Sequence, residues 1–102
     1  MTLRNRNYLR DNSLVSRMEG ITETESREGV FLVDAKRGRL YGLEASGRAV
    51  WNSLGESIRV DDLCHRLATE FSGDEETIRR DVTELLEMLL QSKLIKVNTG
   101  IQ

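Results

Sequence analysis

Residues that carry chemistry or break secondary structure are scarce in this chain of 102 residues. It contains no proline, one cysteine and one histidine. A single cysteine excludes an internal disulfide framework and fits a reducing compartment such as the cytoplasm. One cysteine and one histidine are also too few for the usual zinc sites within a single chain. We therefore expect a cytoplasmic protein without a metal ion or other cofactor.

Long apolar runs and a strong net charge are missing as well. No segment approaches the roughly 20 apolar residues that span a bilayer, and residues 1–12 lack the apolar core of a secretory signal. The formal net charge is -2, which argues against a large and non-specific nucleic-acid footprint. We expect neither a membrane nor a nucleic-acid partner, and we assume a monomer.

No familiar catalytic grouping is present. The glycines never form a phosphate-cradling loop ahead of a helix, and no nucleophile-elbow motif occurs. Cys64 falls on the apolar stripe of a helix, which predicts a buried thiol, whereas His65 projects from a different face. The acidic residues cluster at helix starts and polar faces, where solvation explains them. The sequence therefore predicts a protein that is not an enzyme.

Strand patterns dominate the first half of the chain. Residues 13–19 indicate a strand, and residues 20–28, rich in Thr, Ser and Glu, a mobile connection. Residues 29–34 give the strongest strand pattern because they combine aromatic and β-branched side chains. The chain then turns at Gly38, where we expect a positive φ. Residues 39–43 return as the partner strand.

Helical spacing takes over at Ala45. The first helix covers 45–53, and Gly55 is expected to end it as a left-handed cap. The second helix carries an apolar stripe from Val60 to Phe71. The third opens at 72–75 with a capping box of the S-x-x-E type.

The third helix continues to about Gln91. Its predicted core stripe is Ile78, Val82, Leu85 and Leu89. Further apolar residues stand on both shoulders of this stripe, with Met88 on one side and Leu86 and Leu90 on the other. The wide stripe suggests either a thick core or a second apolar contact.

The element order predicts an α+β domain, in which a three-stranded antiparallel sheet is followed by three helices. The second and third helices resemble a helix-turn-helix pair, so the fold class is winged helix-turn-helix-like. The domain is expected to cover 13–97, with a short extended segment at 94–97. Residues 1–12 would form a flexible N-terminal arm, and 98–102 a C-terminal tail.

DNA binding is the first alternative that such a layout raises. A winged-helix reader would insert its third helix into the major groove. Residues 74–91, however, carry six acidic and two basic side chains, which would repel a polyanion. Arg79, Arg80 and an arm that contains Arg4, Arg6 and Arg10 could still contact phosphates.

The order of the motifs resembles the PqqD-like family. That family has a hydrophobic strand ending in Asp, a G-x-x-Y-x-L strand, a helix ending near Trp, two amphipathic helices and a terminal G-L-I. The corresponding residues are Val33, Asp34, Gly38, Tyr41, Leu43, Gly47, Trp51, Leu63, Leu67, Asp81, Val82, Leu85, Leu94 and Ile95. The chain departs from the pattern at Glu44, where the family usually has Asn, at Lys93, where it has Gly, and in the long 20–28 connection.

The resemblance implies a RiPP recognition element, which binds the leader region of a ribosomally made and later modified peptide. Such a protein presents the core peptide to separate enzymes, a leader peptidase and a cyclase in lasso-peptide pathways. The Ser46-Gly47 pair looks more like the stand-alone proteins of lasso-peptide pathways than like the pyrroloquinoline quinone version. A peptide chaperone of pyrroloquinoline quinone biosynthesis, a DNA-binding protein and a generic protein adaptor are the alternatives.

The resemblance also implies strand addition beside residues 39–43 and against the third helix. Because the chain leaves this strand for a helix, the outer N–H and C=O groups lack a partner. Gly42 would let another backbone approach. Tyr41 suits either the core or the groove. The predicted leader-binding residues are Arg39, Leu40, Tyr41, Gly42, Leu43, Ile78, Asp81, Val82, Leu85 and Met88.

Overall fold

The computed structural model describes residues 9–98, apart from the side chain of Ala45. Within this range the chain forms six strands and three helices. In chain order they are β1 (Leu14–Arg17), β2 (Ile21–Ser26), β3 (Gly29–Asp34), β4 (Arg39–Leu43), α1 (Ala45–Ser53), β5 (Ile58–Arg59), α2 (Val60–Phe71), α3 (Glu75–Gln91) and β6 (Ile95–Asn98).

The strands form two antiparallel sheets of three strands each, in the orders β5–β1–β6 and β2–β3–β4. In the second sheet Val30 pairs with Leu43 and Asp34 with Arg39. Gly38, between β3 and β4, has a φ of 65°, as expected for this turn. The α+β class, with antiparallel strands and three helices, is confirmed, whereas the winged-helix likeness stays a prediction.

The predicted mobile connection at 20–28 is wrong, because it contains β2. Consequently the predicted membership of the sheet is also wrong, since β2 rather than β1 lies beside β3. Ile21 packs against the core, and Thr22 and Thr24 are β-branched residues that suit a strand. Their alternation with exposed glutamates obscured the strand, because a polar edge strand shows no apolar period.

Trp51 connects the two sheets to α1. Its indole is completely buried, and its Nε1 donates a hydrogen bond to Glu23 Oε1 over 2.6 Å. The guanidinium of Arg17 lies 4.6 Å above the indole centroid and donates to the carbonyl oxygen of Trp51 over 2.8 Å. Arg17 and Glu23 also form an ion pair over 3.1 Å. One residue from β1, one from β2 and one from α1 therefore share a single contact.

Two predicted helix ends are wrong. The C-cap of α1 is Leu54, and Gly55 is not among the described glycines with a positive φ. Asp74, rather than Ser72, is the N-cap of α3, because its carboxylate accepts a hydrogen bond from the backbone N–H of Thr77 over 3.0 Å. Ser72 instead takes the left-handed conformation that ends α2, with φ 53°.

The core face of α3 is rotated relative to the prediction. Val82, Leu86 and Leu89 are its buried residues, whereas Ile78 and Leu85 are only partly buried against the core. Leu86 was expected on a shoulder of the helix. The Leu86 side of α3 therefore faces the core, whereas Ile78 and Leu85 border an open groove.

The described part of the predicted N-terminal arm packs against the domain. Leu9 is buried in the core cluster, and the carboxylate of Asp11 lies 2.9 Å from the guanidinium of Arg79. Residues 1–8 and 99–102 lie outside the described residues, so most of the predicted arm and tail is not described. Asn98 belongs to β6 and donates from Nδ2 to Ser16 Oγ over 3.0 Å.

Trp51→Phe should lower the free energy of unfolding by about 2 kcal/mol, because a hydrogen bond to a charged acceptor is lost while most of the ring burial is kept. Glu23→Gln should cost less, since the amide oxygen can still accept from the indole. Urea denaturation followed by far-UV circular dichroism measures both changes. Equal stability of Trp51→Phe and the parent protein would contradict this role.

Asp74→Ala should remove part of the pH dependence of stability. Hydrogen bonds from the Thr77 hydroxyl and backbone N–H lower the pKa of Asp74 below its ordinary value of 3.8. Its contribution is therefore fully present above that value and is lost as the pH falls through the lower folded-state pKa. Thermal melts between neutral and strongly acidic pH should show a difference from the parent that disappears in acid. A constant difference would contradict the assignment.

Candidate functional site

A groove lies where the end of β4 and the start of α1 face α2 and α3. Its volume is about 530 Å³. The β4 and α1 side contributes Gly42, Leu43, Glu44, Ser46, Gly47 and Val50. The helical side contributes Leu67 and Phe71 from α2, and Ile78, Asp81, Val82, Leu85 and Met88 from α3. Most of these side chains are apolar, so the groove suits an apolar group on a ligand.

The structure places the predicted site residues in two neighbouring settings. Gly42, Leu43 and all five residues chosen on α3 line the groove. Arg39, Leu40 and Tyr41 do not line it, but they belong to the same strand. That the ten residues bind a peptide stays a prediction, while the fold places five of them along β4 and five on the α3 wall of the groove.

The rotation of α3 explains its wide apolar stripe. Its core face is formed around Leu86, and its groove face includes Leu85 and Met88. Met88 is 41% exposed although it is a large hydrophobic residue. The sequence therefore contained two apolar faces side by side, one for the core and one for the groove.

Phe71 is the groove residue that sequence reasoning placed wrongly. It continues the apolar stripe of α2 but is 54% exposed, because α2 ends at this residue and the chain turns away at Ser72. Phe71, the last residue of α2, thus lies beyond the core and lines the groove. Its position at the end of the stripe was the available signal.

The outer edge of β4 is open. Within residues 9–98, β4 pairs with β3 alone, and the chain then enters α1 at Ala45. An edge strand directs every second pair of backbone N–H and C=O groups away from its sheet. These groups can pair with water or with another extended backbone. The open edge and the groove meet at Gly42 and Leu43.

Close backbone contacts hold the end of β4 in place. A Cβ atom built on Gly29 would lie 1.8 Å from the carbonyl oxygen of Leu43, and one built on Gly47 would lie 3.1 Å from Leu43 Cβ. The guanidinium of Arg48 in α1 donates to the carbonyl oxygens of Ser26 and Gly29. These contacts fix the wall of the groove that β4 and α1 form.

Tyr41 packs against the core and does not line the groove, which agrees with the core interpretation of this residue. Arg39 Nη1 donates a hydrogen bond to the phenol oxygen over 3.2 Å. This hydrogen bond lowers the pKa of Tyr41, and a hydrogen bond involving Ser92 acts in the same direction. The phenol thus links β4 to the end of α3.

Charges around the groove have one sign. Glu44 and Asp81 are its only charged lining residues. Both are exposed, and neither forms an ion pair within residues 9–98. The groove therefore repels anionic groups at its rim while its floor stays apolar.

Cys64 and His65 are the residues that the sequence offered for metal binding or nucleophilic chemistry. No cluster of three or more His, Cys, Asp or Glu that could hold a metal ion occurs within residues 9–98. Cys64 is buried, which raises the pKa of its thiol, and His65 is exposed with its Nδ1 3.7 Å from Glu75. None of the helices in this range is both long and apolar enough to cross a bilayer.

The sequence profile of PqqD, described as coenzyme PQQ synthesis protein D, matches residues 29–95. The chain belongs to the PqqD family. The match confirms the resemblance seen in the motifs and covers well over half of the chain, including β4, the groove and α3. It leaves out β1 and β2. No curated protein matches the sequence.

Three solved structures share the fold. TbiB1 in complex with the TbiA(beta) leader peptide is 24% identical with a TM-score of 0.73, over 85% of this chain and 98% of that one. Lasso peptide synthetase B1 complexed with its leader peptide is 17% identical with a TM-score of 0.71, over 80% and 96%. The PqqD part of Methylobacterium extorquens PqqCD, a stand-alone RiPP recognition element, is 16% identical with a TM-score of 0.74, over 88% and 96%.

Gly29→Ala should destabilise the protein far more than Gly20→Ala. Both glycines have a positive φ, but a Cβ atom on Gly20 would meet nothing within 4 Å, whereas one on Gly29 would collide with the Leu43 carbonyl group. The backbone of β3 or β4 would have to move. Thermal denaturation of the two variants measures the difference. Similar melting temperatures would show that the approach of β4 to Gly29 is unimportant.

Proposed function

We propose that this protein binds the leader region of a ribosomally made precursor peptide as an extra antiparallel strand on β4. The observation that carries the proposal is the open edge of β4 beside an apolar groove of about 530 Å³. Membership of the PqqD family supports it. Two of the solved proteins with this fold hold a leader peptide, which also supports it.

Strand addition divides affinity and specificity between two sets of contacts. Backbone hydrogen bonds to Arg39–Leu43 require an extended peptide but little particular sequence. Side chains of the peptide that point toward α3 would enter the groove, where Leu85 and Met88 offer apolar contact. Asp81 at the rim would hydrogen-bond to or pair with a polar residue of the peptide. The groove therefore selects among peptides that the edge alone would accept.

The proposed role is delivery rather than catalysis. By holding the leader, the protein would present the attached core peptide to separate enzymes, a leader peptidase and a cyclase in a lasso-peptide pathway. The likeness in fold to a lasso peptide synthetase B1 supports this pathway, and the likeness to a PqqD protein supports a pyrroloquinoline quinone pathway as the alternative. A cytoplasmic location, a monomeric state and the absence of a cofactor stay predictions.

DNA binding is less well supported by the charges on α3. Arg79 is one of its two basic residues, and its guanidinium is already held by Asp11, Asp61 and Glu75 at 2.9, 2.8 and 3.2 Å. The hydrogen bond to Asp61 also raises the pKa of Arg79 above its ordinary value. Arg79 is therefore poorly placed to reach a phosphate group.

Met88→Ser should weaken leader binding about tenfold, because the substitution removes apolar contact between the groove and the peptide worth roughly 1.4 kcal/mol. Asp81→Ala should also weaken binding while the circular dichroism spectrum stays unchanged. Fluorescence anisotropy with a labelled leader peptide encoded beside the gene measures both affinities.

Leu14→Ser provides a matched control. Leu14 is 36% exposed, a fraction similar to the 41% of Met88, but it lies in β1 of the other sheet. It should leave the affinity unchanged. Parental affinity in both the Met88 and Asp81 variants would contradict the chosen face of α3. The adaptor alternative would be favoured if the parent protein bound no leader peptide encoded beside its gene and instead bound the surface of a folded protein.

A further inference from the structure

The outer face of the β2–β3–β4 sheet, opposite the groove, has its own apolar surface. Phe31 is 39% exposed and Leu40 is 66% exposed. Phe31 pairs with Gly42 across β3 and β4, and a Cβ atom built on Gly42 would lie 3.3 Å from Phe31 Cε1. The phenyl ring therefore lies beside the position that a side chain of residue 42 would occupy. The glycine leaves a notch in β4 with an aromatic ring as its wall.

This notch opens into a second depression of about 620 Å³. Phe31 and Gly42 line it together with residues 28–30 and 43–44. Gly42, Leu43 and Glu44 also line the groove. The end of β4 thus separates two depressions, one on the helical face of the sheet and one on its outer face.

The pleat of a β-strand connects these two depressions to one peptide. Successive side chains of a strand point to opposite faces of its sheet. In β4, Leu43 points to the helical face and is buried, whereas Leu40 and Gly42 point outward. A strand added beside β4 must follow the same alternation. Residues of the peptide next to those that enter the groove would therefore lie on the outer face.

From this alternation we infer that the outer face is a second subsite for the same peptide strand. A large apolar or aromatic side chain of the peptide, aligned with Gly42, packs over the glycine against the ring of Phe31. Leu40 borders this position along β4. The inference rests on the proposed function, since it requires strand addition to β4, and it defines the class of peptide more narrowly.

The missing side chain at Gly42 favours such an occupant. A large residue opposite a glycine in a neighbouring strand can cover the exposed backbone, and cross-strand apolar pairs stabilise a sheet. An aromatic group on the peptide would meet the ring of Phe31 across the notch. Without the peptide, Phe31 keeps more than a third of its surface in water.

The two-sided subsite predicts a specific spacing of anchor residues in the peptide. A groove-only mode selects apolar residues at even spacing, i and i+2, because these share a face. Recognition on both faces selects at least one pair at odd spacing, i and i+1 or i and i+3. Residues of one parity enter the groove, and residues of the other lie against Phe31 and Gly42.

The test uses the full chain and a displayed library of random peptides of about 12 residues, roughly twice the length of an average strand. Peptides selected on the parent protein should contain apolar anchors at odd spacing. Phe31→Ser should weaken their binding about fivefold, the effect of one lost cross-strand apolar pair. Replacing the outer anchor of the peptide by alanine should abolish the difference between Phe31→Ser and the parent.

Gly42→Ala is the second variant, because the added methyl group fills the notch. Alanine can adopt the backbone conformation at this position, since Gly42 is not among the described glycines with a positive φ. This variant should bind peptides with a large outer anchor more weakly than the parent does, and it should bind peptides with alanine at that position equally well. Leu14→Ser, exposed on the other sheet, should bind every selected peptide like the parent. Circular dichroism melts establish that each variant is folded.

The outcomes separate the inference from the proposed function. The selected peptides could have all their anchors at even spacing and bind Phe31→Ser and Gly42→Ala as tightly as the parent protein. That result would overturn the outer subsite but leave strand addition intact. A parent protein that selects no peptide at all would overturn both. Selection of odd-spaced anchors that depend on Phe31 supports both.

Discussion

The contact among Trp51, Arg17 and Glu23 determines how the two sheets meet, and the groove depends on it. Arg17 comes from β1 and Glu23 from β2, which belong to different sheets, while Trp51 comes from the last turn of α1. A buried indole N–H is costly to leave without a partner, so Glu23 is held beside the indole nitrogen and β2 is held with it. With β2 and β3 in place, the close approach of Gly29 to Leu43 sets the end of β4. The start of α1, which forms one wall of the groove, is positioned by the same contacts.

An exposed edge strand is a hazard in a free protein because it can pair with other copies. Several features limit that hazard here. The open strand β4 has only five residues and begins with the charged Arg39, and the rim beside it carries Glu44 and Asp81. The opposite edge of the sheet, β2, is polar and exposed along most of its length. The short length of β4 and the charged residues at its ends thus limit pairing with another copy of the sheet.

Much of the fold follows from local patterns in the sequence, and the missed parts share a physical cause. The bounds of α1 and the strand pair β3–β4 were predicted as the structure has them, since their periods and turn at Gly38 are local signals. The strand β2 was missed because it has no apolar period of its own and depends on partners elsewhere in the chain, namely β3 along its length and Trp51 through Glu23. The core side of α3 was misjudged because Leu85 and Leu86 are equally apolar, and only tertiary packing decides which of them is buried. The prediction that residues of β4 and α3 form one site came from the family resemblance. Periodicity within each element could not have shown that the two elements lie together.

The large exposed hydrophobic residues are concentrated around β4. Within residues 9–98 the large exposed hydrophobic side chains are Leu14, Phe31, Leu40, Phe71 and Met88. Phe71 and Met88 line the groove, and Phe31 and Leu40 lie on the outer face of the same strand pair, so Leu14 alone lies elsewhere. Single exposed apolar residues need no explanation, but a concentration around an unpaired backbone edge does. Each of these four side chains loses favourable burial in the free protein, and an added strand at β4 would cover both faces at once. In the proposed mode of binding, the edge would supply the hydrogen bonds and the four side chains the apolar contact with one and the same peptide strand.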